Sequence, residues 1–181
     1  NFNPKLTLYA ALLAVLAGFP TAAAAYRDFT TESLLASFFP GRSTSQVVWK
    51  PSAAERDRFK SKVGYFPPVA EYTWFVDSVG GTPAGYALVD EQLGQHEPIT
   101  FGVQLLPDAS IVRIEVMVYR EAYGEGVRAE GFRRQFVGLA FLNPMRAGKE
   151  IKIVSGATIS SRSLSTGARR ASALLATWLG E

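Results

Sequence analysis

Toward the C-terminus apolar side chains recur every three to four residues, at Leu164, Ala168, Ala171, Leu175, Trp178 and Leu179, with Arg162, Arg169 and Arg170 between them. That spacing is the period of an α-helix with one apolar face. It predicts an amphipathic helix over about 160–179 whose arginines face solvent. Such a helix draws most of its stability from covering an apolar surface, and the chain supplies one upstream. Residues 71–79, 85–90, 99–106 and 111–119 read as strands. They are separated by Gly80-Gly81-Thr82-Pro83, by Leu93-Gly94-Gln95-His96-Glu97-Pro98 and by Pro107-Asp108-Ala109-Ser110. Connections this short join antiparallel neighbours. Polar and apolar residues alternate over 113–120, as in a strand with one face in the core.

Shorter elements fill the flanks. Residues 31–39 have helical spacing and stop at Pro40-Gly41, Val47-Val48-Trp49 reads as a brief strand, and 52–62 is a charged surface helix that Gly64 ends. A further helix is expected over about 130–137. The predicted fold is therefore α+β: an antiparallel sheet of about four to six strands with flanking helices, the C-terminal helix packed on or beside it.

The first 25 residues run from a polar start with Lys5 through an apolar stretch over 6–19 to Pro20 and a tail of alanines. This is the order of a secretory leader with an Ala-x-Ala site near Ala23 to Ala25. The apolar stretch is shorter than the about 20 residues of a comfortable bilayer span. The expectation is a signal peptide or N-terminal membrane anchor over 1–25, with a folded domain over 26–181 in the periplasm or on the outer face of the cytoplasmic membrane. An ordinary buried helix is the alternative.

Composition removes several functions. A net charge of +3 with 19% charged residues is too mild a basic excess for a nucleic-acid binder. With no cysteine there are no disulfides, iron–sulfur ligation or thiol catalysis, and a single histidine leaves only scattered carboxylates for a metal. No Gly-x-Ser-x-Gly elbow, dinucleotide glycine pattern or phosphate-binding P-loop occurs. Hydrolase and nucleotide-dependent dehydrogenase readings fall away.

Chemistry concentrates just before the final helix, in Val154-Ser155-Gly156-Ala157-Thr158-Ile159-Ser160-Ser161. Small side chains let a ligand approach the backbone, glycine permits a tight bend, and a helix start presents unpaired N–H groups at the positive end of its dipole. The residues fit a phosphate site and equally a plain N-cap, since Ser and Thr start helices for local reasons.

The sequence Ser155-Gly156-Ala157-Thr158 ahead of a terminal helix resembles the hallmark of the FMN-binding domain family, found in flavin subunits of sodium-pumping NADH:quinone reductases and related ferredoxin-linked complexes. The residues 94–101, Val118-Tyr119-Arg120-Glu121 with Tyr123-Gly124, and 132–138 also look like shorter, stand-alone members, so the resemblance covers roughly 71–179. It implies FMN joined by a phosphoester to Thr158, with attachment by an FAD:protein FMN transferase that releases AMP. A threonine hydroxyl is a weak nucleophile unaided, which fits a separate enzyme for that step. Ser155, Gly156, Ala157, Ser160 and Ser161 are the accompanying candidate cofactor-binding residues. The family often has aspartate six residues before the threonine. Here Lys152 stands there, with Glu150 two residues earlier.

Three segments outside the motif hold the remaining candidates. His96 is the one histidine, in a polar turn. Glu121, Tyr123 and Gly124 lie where a strand ends in a glycine-bearing loop, where a tyrosine suits an isoalloxazine face. Each also has a plain structural reading, and Arg133, Arg134, Arg169 and Arg170 read as solvated helix faces. The resemblance implies an electron carrier with no catalytic residue and no substrate of its own, relaying electrons to a membrane or soluble redox partner. The alternatives are a flavin-dependent reductase with a small substrate and a non-catalytic exported binding module.

Overall fold

The computed structural model describes residues 26–181; the leader expected over 1–25 lies outside them. Six strands, β1 (Tyr26–Arg27), β2 (Thr44–Trp49), β3 (Tyr72–Val79), β4 (Thr82–Leu93), β5 (Pro98–Leu105) and β6 (Ile111–Tyr119), form one sheet in the order β1-β6-β5-β4-β3-β2. Every pairing is antiparallel. The four long strands are those expected from the sequence, and the α+β architecture holds.

Turn chemistry sets the register. Gly80 and Gly81 have φ of 59° and 81°, the pair of positive values that a tight two-residue hairpin needs. The turn is complete with those two, so Thr82 and Pro83, expected in the loop, instead begin β4 and pair with Val79 and Ser78. Between β5 and β6, Asp108 Oδ1 accepts the Ser110 N–H at 3.0 Å, and Ala109 turns left-handed at φ 60°.

Both faces of the sheet are covered. Alternation along β5 sends Phe101 and Val103 to one side, with Trp74, Leu88 and Val116. The C-terminal helix lies there. On the other side Ala87, Met117 and Val118 meet Leu34 and Phe38 of α1 (Thr31–Phe38). Helix α2 (Ala53–Val63) begins with a Ser52 and Glu55 capping box and ends at Gly64 with φ 93°. It carries the expected charges, but Phe59 is fully buried. The helix expected over 130–137 is shorter: α3 (Glu130–Arg133) passes into a 3-10 turn over Arg134–Phe136.

The last helix, α4 (Thr158–Trp178), starts two residues earlier than its hydrophobic period and is buried nearly all round. It lies between the sheet and an outer layer of α2 and the 137–157 segment: Phe141 N–H donates to Ser172 Oγ at 2.8 Å, and Ser172 Oγ donates to the Ala109 carbonyl at 2.7 Å. This layer corrects the expected solvated face. Arg170 is 5% exposed and donates to Asp90 Oδ2 at 2.8 Å, Gln92 Oε1 at 2.7 Å and the Glu91 carbonyl at 2.6 Å. Arg133 likewise turns inward, onto buried Glu115 and the Ile114 carbonyl. A buried guanidinium needs a carboxylate and acceptors for its N–H groups, and β4 and β6 supply them.

Candidate functional site

The first turn of α4 differs from those of α1 and α2. Each of the latter is closed by a capping box, Thr30 with Ser33 and Ser52 with Glu55. At α4 the N-cap is Ala157, with no side-chain cap. The N–H groups of Thr158, Ile159 and Ser160 have no hydrogen-bond partner among the described residues. Neither Ser155 nor Thr158 turns back on the backbone, so the motif is not a conventional N-cap. Gly156 bends the chain in at φ 74°, and a Cβ there would meet open space. The conformation, not crowding, calls for glycine.

This helix start opens into a cleft of about 240 Å³ lined by Gln95, Glu121, Tyr123, Gly124, Gly156, Ala157, Thr158, Ile159 and Ser160. Segments about 25 to 35 residues apart in sequence thus meet at one place. Thr158 is partly buried, and its hydroxyl has no hydrogen-bond partner among the described residues. Tyr123 is 85% exposed at the rim.

Three hydroxyl and carbonyl groups fix the inner wall. Tyr119, itself 3% exposed, donates to the Tyr123 carbonyl at 2.5 Å and lies 2.8 Å from Ser160 Oγ. Its one proton is committed to the carbonyl, so Ser160 donates to Tyr119. Burial pushes the phenol above its ordinary range and keeps it a donor at neutral pH. Gly124, at φ 90°, sits against this pair: a Cβ would come 2.6 Å from the Tyr119 hydroxyl and 2.7 Å from Ser160 Oγ.

Glu121 fixes the rim. Its carboxylate accepts the His96 N–H at 2.6 Å and the Glu97 N–H at 3.1 Å. Desolvation alone would raise its pKa, but the backbone donors outweigh it and hold the group below the usual carboxylate range. A Cβ on Gly94 would come 2.6 Å from Glu121 Oε1, so glycine is what lets the β4–β5 turn close on the acid.

Seven of the ten expected residues, Glu121, Tyr123, Gly124, Gly156, Ala157, Thr158 and Ser160, line the cleft. The other three do not. Ser155 is exposed beside it, and Ser161 is fully buried with its hydroxyl accepting the Val154 N–H at 3.2 Å. The His96 backbone belongs to the rim, while its exposed imidazole is not part of the lining. Gln95 and Ile159 line the cleft without having been singled out; each neighbours a named candidate, but neither residue type signals a ligand. Lys152 is exposed, and its backbone N–H and carbonyl both pair with the Gln135 amide, at 2.7 Å and 3.2 Å. Among the described residues no group of three or more His, Cys, Asp or Glu could hold a metal ion.

The fit to a flavin phosphate can be judged from this geometry. Open N–H groups at a helix start, a glycine bend with free space above it and an unengaged hydroxyl suit a phosphate monoester. A volume of about 240 Å³ is below the ~300–1,000 Å³ of pockets that enclose a ligand. The cleft can take the phosphate end of FMN and leave the ring at the surface against Tyr123.

Comparison with known proteins agrees. The fold is similar to that of a solved subunit of the Na(+)-translocating NADH-quinone reductase from Parabacteroides distasonis, with a TM-score of 0.53 and 16% identity over 85% of this chain and 86% of that one. No curated protein matches the chain. The FMN-binding domain model matches residues 94–173, a span that takes in the β4–β5 turn, the Tyr119 to Gly124 wall and the start of α4. By that match residues 94–173 of the chain are similar to the FMN-binding domain family.

Proposed function

We propose that the protein is an exported electron carrier that holds FMN through a phosphoester to Thr158 and passes electrons between redox partners without a substrate of its own. The observation that supports this reading is the uncapped start of α4, where three backbone N–H groups and the Thr158 hydroxyl have no partner among the described residues and meet one cleft. The bound flavin supplies one- and two-electron redox chemistry. The chain's part is to hold the phosphate at the N–H groups, fix the wall through Tyr119 and Ser160, and leave the ring edge accessible beside Tyr123.

Among the described residues no base engages Thr158, and Glu121 is committed to backbone donors. Activation therefore falls to an FAD:protein FMN transferase. Its step balances as a phosphoryl transfer: the Thr158 oxygen bonds to the FMN phosphorus of FAD, the pyrophosphate bond to AMP breaks, the hydroxyl proton passes to the transferase, and AMP leaves. No electrons move. The leader expected over 1–25 puts the domain in the periplasm or on the outer face of the cytoplasmic membrane, where a covalent bond prevents loss of FMN. By likeness to a subunit of a sodium-translocating quinone reductase, the partner is a membrane redox complex.

The test is intact mass and peptide mapping after export with a flavin transferase. The expected result is a gain of FMN less water on the peptide containing Thr158, absent in Thr158→Val while the fold persists. Retention of the label in that variant would sink the assignment.

A further inference from the structure

A second cleft lies along α4, sharing no residue with the first. Its volume is about 460 Å³, within the range of ligand pockets, ~300–1,000 Å³, and it is lined by Tyr65, the 144–147 loop, and Arg162, Ser165, Thr166 and Arg169 of α4. The four helix residues stand at i, i+3, i+4 and i+7, one stripe of the helix surface.

The charges there do not balance. Arg146 is paired with Glu150. Arg162 and Arg169 have no carboxylate within ion-pair reach among the described residues. Arg169 is held in place by two backbone carbonyls, Phe141 at 3.0 Å and Lys62 at 2.9 Å; these leave Nη1 and the net charge uncommitted. Arg162 is exposed and makes no hydrogen bond among the described residues. In the same cleft the Tyr65 ring lies edge-on against Phe59, at 5.8 Å and 79°, and its hydroxyl has no partner among the described residues.

Two guanidinium groups on one wall repel each other unless an anion lies between them. A group with two negative charges and three acceptor oxygens matches two planar forks and a phenol donor better than a single carboxylate does. We propose that this cleft is a phosphate-binding site, distinct from the one at Thr158, that takes the phosphate of a small metabolite or of a phospholipid headgroup through Arg162, Arg169 and Tyr65.

The experiment uses the full flavin-bearing chain and its Arg162→Gln variant, chosen because Arg162 bonds to none of the described residues and its loss leaves the fold intact. Glycerol 3-phosphate is titrated calorimetrically at low salt, and sedimentation with phosphatidylglycerol vesicles is compared with phosphatidylcholine vesicles. A soluble source gives saturable one-to-one binding of glycerol 3-phosphate, weakened at least tenfold in the variant. A lipid source gives phosphatidylglycerol-dependent sedimentation that the variant loses. Either result supports the site. No binding in either arm, or binding equal in the parent and the variant, overturns it. Flavin content is read separately, so an absence of covalent FMN leaves this test interpretable.

Discussion

The Tyr119 hydroxyl joins the Tyr123 carbonyl, 2.5 Å away, to Ser160 Oγ at 2.8 Å, and so ties the end of β6 to the first turn of α4. The chain of donors runs from Ser160 through Tyr119 to Tyr123. Tyr123 and Ser160 line the cleft that opens at Thr158, and buried Tyr119 holds the two together. Tyr119→Phe leaves a carbonyl and a hydroxyl without their partner, at a cost of about 1–3 kcal/mol. Ser160→Ala should cost a similar amount, and the double variant less than the sum, because both remove the same bond. Urea denaturation of the four proteins measures the coupling, and strict additivity would refute it. Gly124→Ala should be worse than either, since a Cβ at φ 90° strikes both hydroxyls, and it should also slow flavin loading.

A second prediction concerns the approach of α4 to the sheet. A Cβ on Gly167 would stand 2.3 Å from Phe101 Cζ and 2.9 Å from Cε1. In an unpacked helix, alanine for glycine gains about 1 kcal/mol. Here the ring is fully buried and cannot retreat, so overpacking at about 1–3 kcal/mol dominates. Gly167→Ala should lower the urea midpoint, and Phe101→Leu added to it should recover part of the loss. A midpoint raised by Gly167→Ala alone would show that the contact is looser than this packing.

How far the sequence revealed this molecule depends on how local each signal is. The strands from β3 to β6 and the ends of α1 and α2 could be read because alternation, turn glycines and capping residues act within a few positions. β1 could not: two residues carry no period, and their pairing with Tyr119 and Val118 is decided at the far edge of the sheet. Arg170 falls on the polar side of a helical projection, yet its partner Asp90 is 80 positions away. Nothing in the helix itself reports that an outer layer will cover it. The same contrast holds for the candidate site. The motif ending at Thr158 stood out because it is contiguous, whereas the cleft needed the folded sheet to bring Gln95, Glu121 and Tyr123 against it.

The last prediction is a dependence on acidity. Glu121 is held below the ordinary carboxylate range because the N–H groups of His96 and Glu97 bond only its charged form well. A carboxylate with a lowered folded pKa contributes stability that is complete above its unfolded value, near 4.5. That contribution is lost as pH falls through the lower folded value. Glu121→Gln retains one acceptor and no charge, and at pH 7 should cost about 1 kcal/mol, at the low end for a charged hydrogen bond because the site is partly solvated. Other carboxylates also titrate in acid, so the quantity to measure is the difference in unfolding free energy between parent and variant. It should shrink as pH is lowered from 7 to 3, with the β4–β5 turn loosening over the same range in amide hydrogen exchange. A difference that stays constant would mean that the turn, not the acid, holds the rim of the cleft.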